Sequence, residues 1–205
     1  LRILLIVNSF ATSVTARNTV VVQRRLARDH EVELVETNRR GHATRFASDA
    51  ARRNVDVVVG FGGDGTMNEV ATGIAGTDAA LGVLPGGSTN VFARTIGLPN
   101  DPIEATGVLL DALARRSVRR VGLGSVNGRY FLFHTGVGFD AAVVEQVERR
   151  SGRERYAGHP LFVYAGFDLF RFPSNARLLG FDVRRFIDGL VRRWRGRIDG
   201  VFSNN

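Results

Sequence analysis

The first hundred residues alternate short apolar runs with segments whose apolar positions have helical spacing. The apolar runs predict strands at residues 2–7, 31–37, 55–59 and 80–84. The segments between them predict helices at about 14–28 (with Thr12 or Ser13 as N-cap), 43–54, 66–75 and 90–96, and one more that ends near residue 114. Strands alternating with helices are typical of a parallel sheet covered on both faces. The sequence therefore predicts an α/β domain over residues 1–116.

The hydrophobic pattern changes near residue 117. Two apolar segments, 118–126 and 129–135, flank Asn127-Gly128, which is a strong hairpin signal. A second hairpin is predicted around Asp188-Gly189, and helices are predicted at about 141–150 and 160–170. We therefore expect a second, β-rich domain over residues 117–205.

The amino-acid composition excludes several reaction mechanisms and kinds of binding site. The 205-residue chain contains no Cys, which excludes disulfides, thiolate nucleophiles and Cys-ligated metal centres. It also contains no Lys, which excludes Schiff-base chemistry and the phosphate-binding Lys of a Walker A loop. Any phosphate must therefore be bound by backbone amides, Arg or a metal ion.

The net charge of +8 is concentrated at the end of the chain, where residues 149–205 carry 12 Arg and five acidic residues. Such an excess suits nucleic acid, an anionic membrane or an anionic substrate, and charge alone does not choose among them. No apolar run approaches the ~18 residues of a membrane-spanning helix. Without Cys or an export signal, the expected location is the cytoplasm.

A glycine-rich turn, Gly60-Phe61-Gly62-Gly63-Asp64-Gly65-Thr66, follows a predicted strand and opens a predicted helix. Glycine lets a ligand approach the backbone, and a helix N-terminus attracts anions. The spacing also satisfies the dinucleotide fingerprint, but the turn follows the third strand and lacks the ribose-binding acid. A carboxylate beside phosphates is explained by Mg²⁺, so Asp64 indicates phosphoryl transfer from a nucleoside triphosphate. Asp64 as the N-cap of the next helix is the structural alternative.

A second loop, Pro85-Gly86-Gly87-Ser88-Thr89-Asn90, follows the neighbouring predicted strand. Ligands of open parallel sheets bind beyond the carboxyl ends of the strands. Asn8, Thr37 and both glycine loops fall at such ends, so one crevice is expected to collect them.

These residues resemble a known family. Gly62-Gly63-Asp64-Gly65-Thr66-Met67-Asn68-Glu69-Val70 resembles the GGDGTxNEV signature of the diacylglycerol kinase catalytic domain family. The stretches 82–94, 127–131 and 136–140 are similar to its later blocks, so the resemblance covers nearly the whole chain. It is strongest to the soluble bacterial lipid kinases, which are related to sphingosine kinases and more remotely to NAD kinases and phosphofructokinases.

The resemblance implies an N-terminal domain like those of NAD kinases and phosphofructokinases. It implies an ATP-dependent lipid kinase that uses Mg²⁺ and converts diacylglycerol to phosphatidic acid. Asp64 would be the catalytic and metal-binding residue. The residues implied to contact the nucleotide are Asn8, Thr37, Gly62, Gly63, Asp64, Gly65, Thr66, Met67, Asn68, Glu69, Gly86, Gly87 and Ser88.

Family chains continue beyond the position of Asn205, and their last part carries the carboxylate base. The resemblance therefore implies that the second domain is truncated at its C-terminus. The expected partner is a membrane lipid, reached by peripheral contact with the membrane, and nucleic acid is not expected. Homodimer formation is left open.

Two other functions compete with a lipid kinase. One is a kinase of a soluble substrate, of the NAD kinase type, and the other is a non-catalytic binder of nucleotides or nucleic acid that uses the basic tail. The aromatic residues of 162–172 suit either a membrane surface or a core helix. His42 and His134 have no paired carboxylate in view and are interpreted as turn or packing residues.

Overall fold

The computed structural model describes residues 1–133 together with Thr135 and Ala141, and Leu1–Thr135 forms one compact unit. The strands are β1 (Arg2–Val7), β2 (Glu31–Glu36), β3 (Val57–Gly62), β4 (Ala80–Pro85), β5 (Gly124–Val126) and β6 (Arg129–Phe131). The helices are α1 (Ala16–Leu26), α2 (His42–Arg52), α3 (Asp64–Ile74), α4 (Val91–Thr95) and α5 (Pro102–Ala114). Within these described residues, no helix is long and apolar enough to cross a bilayer.

Four parallel strands form one sheet in the order β2-β1-β3-β4. Alternate residues of β1 enter different cores, because successive side chains of a strand point to opposite faces. Leu5 packs with α1 and α5 on one face, and Leu4 packs with α2 and α3 on the other. The predicted parallel α/β fold is therefore confirmed for this part of the chain.

Strand β3 lies further along the sequence than expected. It was predicted at 55–59, but its pairing continues through Gly60 and Gly62, which lie opposite Val83 and Pro85 of β4. This pairing keeps both glycines in the strand, and a Cβ atom at Gly60 would meet the flexible end of Met67, 2.9 Å from its Cε. Helix α3 accordingly begins at Asp64, two residues before the predicted start.

The first helix is capped by neither Thr12 nor Ser13. Thr15 is the N-cap, and its hydroxyl oxygen accepts the N–H of Asn18 at 3.1 Å. The N–H of Ser13 instead donates to the Gly86 carbonyl at 2.8 Å, which joins this loop to the loop after β4.

The hairpin predicted at Asn127-Gly128 is present, with positive φ at both residues (51° and 75°) as a type I′ turn requires. Its first strand is shorter than the predicted 118–126 and spans Gly124–Val126. The predicted helices at 141–150 and 160–170, the hairpin at Asp188-Gly189, His134 and the aromatic set lie outside the described residues. The domain boundary after residue 116 stays a prediction.

Candidate functional site

The carboxyl ends of β1, β2 and β3 meet at one edge of the sheet. After β1, the Asn8 side-chain Nδ2 donates to Thr66 Oγ1 in the first turn of α3 at 3.1 Å. After β2, the backbone N–H of Thr37 donates to the Val7 carbonyl at 2.8 Å. The structure thus places Asn8 against the turn between β3 and α3, and it places Thr37 beside the carboxyl end of β1.

The two glycine loops pack backbone against backbone. The N–H of Gly86 donates to the Gly62 carbonyl at 2.8 Å. A Cβ atom at Gly87 would lie 2.7 Å from Gly63 Cα, and one at Gly62 would lie 2.6 Å from Thr66 Oγ1. Real Cβ atoms essentially never approach so closely. Gly87 is therefore required by the contact between the loops, and Gly62 by the packing of Thr66 in the first turn of α3, whatever the loops bind.

Gly65 is different. It is exposed at the second position of α3, and a Cβ atom there would meet nothing within 4 Å. The helix has Gly63 as N-cap with no side-chain cap, and the N–H groups of Asp64 and Gly65 donate to no described residue. Unpartnered amides at the positive end of a helix favour an anion. Gly65 leaves these amides open to one.

Asp64 is the first residue of α3, but its carboxylate caps another helix. Oδ2 accepts the Thr89 hydroxyl at 3.0 Å and the Val91 N–H at 2.9 Å, and Oδ1 accepts the Phe92 N–H at 3.0 Å. Helix α4 begins at Val91 and has no side-chain cap from its own N-cap residue, Asn90. The alternative in which Asp64 caps its own helix is therefore wrong, since Gly63 is that N-cap.

Glu69 does the same for α2. Its two carboxylate oxygens accept the backbone N–H groups of Gly41 at 2.8 Å and Ala43 at 3.2 Å. Its carbonyl oxygen also accepts the Thr44 hydroxyl at 3.0 Å. Gly41 is the N-cap of α2, with φ of 86° and no side chain to cap with. Helix α3 therefore supplies the carboxylates that cap both α2 and α4.

Asn68 connects α3 to the hairpin. Its Oδ1 accepts the Leu132 N–H at 3.1 Å, and the Thr72 hydroxyl one turn later accepts the Tyr130 N–H at 3.2 Å. Strand β6 and the residue that follows it therefore contact polar side chains of α3 through their backbone amides.

The residues predicted to contact a nucleotide differ in accessibility. Gly65 and Ser88 are exposed, whereas the side chains of Thr37, Thr66 and Met67 are buried. Met67 packs in the core with Val83 and Ala93, and the Thr37 hydroxyl donates to the Val7 carbonyl at 3.4 Å. The remaining members are Asn8, Gly62, Gly63, Asp64, Asn68, Glu69, Gly86 and Gly87, which are buried or half-buried.

Asn90 shapes the second loop, in which the sequence predicted it as a member without a role of its own. Its backbone is left-handed, with φ of 46°. Its side chain exchanges two hydrogen bonds of 2.8 Å with the backbone of Gly87 and donates to Asn100 Oδ1 at 2.8 Å. Its role could have been predicted from the position of an Asn directly before a helical segment. Asn tolerates the left-handed conformation and forms hydrogen bonds with nearby backbone.

His42 packs at the start of α2, in keeping with its interpretation as a packing residue. Its Nε2 accepts the Nε–H of Arg39 at 2.6 Å, and its ring edge meets Phe46. Burial, followed by the charges of Arg39 and Arg45, lowers the pKa of His42 below its usual 6.5, although Glu69 opposes the shift.

The fit of a magnesium ion depends on Asp64. Its carboxylate accepts three hydrogen bonds, which leaves one of about four lone-pair positions. The described part of the chain contains no cluster of three His, Asp or Glu residues that could hold a metal. The donor set therefore fits a Mg²⁺ ion held mainly by phosphates, as is common for this ion, and does not fit one enclosed by protein ligands.

Comparison with known proteins identifies the family. Residues 2–126 match the diacylglycerol kinase catalytic domain. The chain is 39% identical over 121 residues to a diacylglycerol kinase of Bacillus subtilis (strain 168), covering 58% of this chain and 39% of that protein. It is 38% identical over 105 residues to a diacylglycerol kinase of Staphylococcus haemolyticus (strain JCSC1435), covering 50% of this chain and 31% of that one.

Solved structures agree with this match. A diacylglycerol kinase from Bacillus anthracis str. Sterne superimposes with a TM-score of 0.56 at 31% identity, covering 64% of this chain and 45% of that chain. A second structure from the same organism gives 0.61 at 30% identity, covering 74% and 51%. The chain therefore spans between 31% and 51% of the length of these relatives. Since the family match covers more than half of its own residues, the chain belongs to the diacylglycerol kinase catalytic domain family.

Proposed function

We propose that the chain is the nucleotide-binding part of an ATP-dependent lipid kinase, which transfers the γ-phosphate of ATP to the hydroxyl of diacylglycerol. The observation that carries this proposal is the open N-terminus of α3 in a member of this family. The amides of Asp64 and Gly65 donate to no described residue, and nothing within 4 Å covers Gly65. Phosphates are the anions that such a helix start binds best.

The composition is compatible with this assignment. This chain contains no Lys, so the groups that it offers to phosphates are backbone amides and Arg, with any metal ion that it binds. The two glycine loops pack against each other through their backbones. Gly65 and Ser88 are exposed, so they mark the surface beside these loops that faces solvent. We place the β- and γ-phosphates at this surface.

Asp64 would hold Mg²⁺ together with the phosphates, and the ion would neutralise the charge that develops during transfer. In the reaction the lipid hydroxyl oxygen bonds to the γ-phosphorus, and the bond from that phosphorus to the β–γ bridging oxygen breaks. ADP leaves, and the hydroxyl proton is lost to a base. Because the acceptor is a membrane lipid, the enzyme would contact the membrane peripherally.

The test is transfer of γ-labelled phosphate from ATP to diacylglycerol in phospholipid vesicles by the full-length protein that contains this chain. Labelled phosphatidic acid is the expected product. Transfer to NAD but to no lipid would show the soluble-substrate alternative. Binding of ATP without transfer to any acceptor would show a non-catalytic binder.

A further inference from the structure

We propose that Glu69 is a positioning residue of the nucleotide site, provided that the proposed function holds. It fixes the loop of residues 38–41, which carries Arg39 and Arg40, at the edge of the sheet where the phosphates would bind. Glu69 itself acts through the backbone of α2 and does not touch the nucleotide.

One end of the loop is held by Glu69. The carboxylate accepts the N–H of Gly41, the last residue of the loop, at 2.8 Å. It also accepts the N–H of Ala43 at 3.2 Å. Gly41 has no side chain to cap α2 and lies at a φ of 86°. The path of the chain into α2 therefore depends on an acceptor from another helix.

The other end of the loop is held by β1. The N–H of Thr37 donates to the carbonyl of Val7, the last residue of β1, at 2.8 Å. Asn8 follows Val7, and its Nδ2 donates to Thr66 Oγ1 of α3 at 3.1 Å. The loop therefore runs from the end of β2, beside β1, to the start of α2, and it meets α3 at Glu69. Glu69 lies one turn after Gly65, whose amide has no partner among the described residues.

The loop brings positive charge to this edge. Arg39 and Arg40 are neighbours in a chain without Lys, and the Nε–H of Arg39 donates to His42 Nε2 at 2.6 Å. That contact uses one of the five N–H groups of a guanidinium and leaves the others for phosphate oxygens.

The carboxylate of Glu69 also determines which of two helix N-termini, that of α2 or that of α3, is open to an anion. An uncapped α2, with Arg39 and Arg45 beside it, would compete with α3 for an anion. The carboxylate of Glu69 satisfies two amides of α2 and occupies that position. The phosphate is thereby directed to α3, whose first amides are open.

Glu69→Ala and Glu69→Gln test the role. Glutamine keeps the size of the side chain and one acceptor, so it retains the fold if alanine does not. Two measurements on this chain are needed: amide hydrogen exchange at residues 41–43 without ligand, and the Kd for ATP with Mg²⁺. We expect faster exchange at 41–43 and a Kd raised about tenfold or more, because a displaced binding group loses most of its contribution. Arg39→Ala should raise the Kd while exchange at 41–43 stays slow.

Two variants serve as controls. Thr44→Val removes the hydroxyl that donates to the Glu69 carbonyl and keeps the carboxylate clamp. Asp101→Ala removes two backbone bonds at the start of α5, to Ile103 and Glu104, and so matches the number of bonds lost. Both are expected to lower the melting temperature and to leave the Kd unchanged.

Each other outcome overturns the inference. An unchanged Kd in both Glu69 variants, with fast exchange at 41–43, makes Glu69 a structural cap only. Slow exchange at 41–43 in Glu69→Ala shows that the carboxylate does not hold the loop. Failure of the unmodified chain to bind ATP overturns the proposed function as well. The first two results differ from it because in them the unmodified chain still binds ATP.

Discussion

Gly86 donates its backbone N–H to the carbonyl oxygen of Gly62 at 2.8 Å, and a Cβ atom on Gly86 would lie 2.9 Å from Gly62 Cα. The two glycine loops therefore touch through their backbones. Asp64, two residues after Gly62, accepts the N–H groups of Val91 and Phe92, so the contact between the loops lies beside the starts of both α3 and α4.

Gly86→Ala is expected to destabilise the fold. The new methyl group would meet the Val14 side chain at 2.6 Å as well as the Gly62 backbone, and overpacking of this kind costs about 1–3 kcal/mol. Chemical denaturation without ligand measures the free energy of unfolding. An unchanged value would mean that the loops separate at little cost.

Gly65→Ala is expected to raise the stability of the protein and to weaken its binding of ATP. A Cβ atom meets nothing there, and replacing a helical Gly by Ala stabilises a helix by up to about 1 kcal/mol. The same methyl group would cover the open amides of α3 and weaken ATP binding. Gly107→Ala in α5, where a Cβ atom also meets nothing, is the matched control and should leave the Kd for ATP unchanged. Equal Kd values for both variants would contradict the placement of the phosphates.

Asp64→Asn is expected to lower the stability of the protein in the absence of nucleotide and metal. The carboxylate accepts three hydrogen bonds at the start of α4, and hydrogen bonds to a charged group contribute about 1.5–3 kcal/mol. Asp111→Asn removes a carboxylate of an exposed pair with Arg115 and should change the unfolding free energy little. If Asp64 served ligands alone, both variants would unfold like the unmodified chain.

Asn68→Ala is expected to loosen the hairpin. It removes the acceptor of the Leu132 N–H, so hydrogen exchange at Leu132 should become faster. Thr72→Val should do the same at Tyr130. Slow exchange at both positions in the two variants would show that β6 is held by other contacts.

His42 is expected to make stability depend on pH. Its folded-state pKa lies below 6.5, so the unfolded chain binds the proton first as the pH falls. The free energy of unfolding should therefore fall on acidification through the range just below 6.5. Denaturation of the unmodified chain and His42→Gln between about pH 5 and 8 measures this, and the variant should show the shallower dependence. Parallel curves would show that His42 does not contribute.

Local patterns were sufficient for the parallel sheet and its covering helices. Apolar runs gave the positions of the strands, and Asn127-Gly128 gave the hairpin, because both signals depend on neighbouring residues alone. The end of β3 was missed because glycines are typical of turns. In the structure Gly60 pairs with β1 and β4, and Gly62 pairs with β4, which keeps both residues extended. The positions of Gly62, Asp64 and Gly86 at one edge were also foreseen, since parallel strands end together.

The partners of the motif's polar side chains could not be foreseen. Asp64, Asn68 and Glu69 were expected at a nucleotide from their resemblance to a known signature, yet each binds backbone amides of another element. The amides of Gly41, Val91 and Leu132 lie 28, 27 and 64 residues along the chain from their acceptors, so only folding makes them neighbours. By itself the sequence determined which elements form and in which order, because periodicity and turn chemistry are local. Only the tertiary structure decided which helix each carboxylate caps, because that depends on which helix ends the packing of α3 brings within hydrogen-bonding distance.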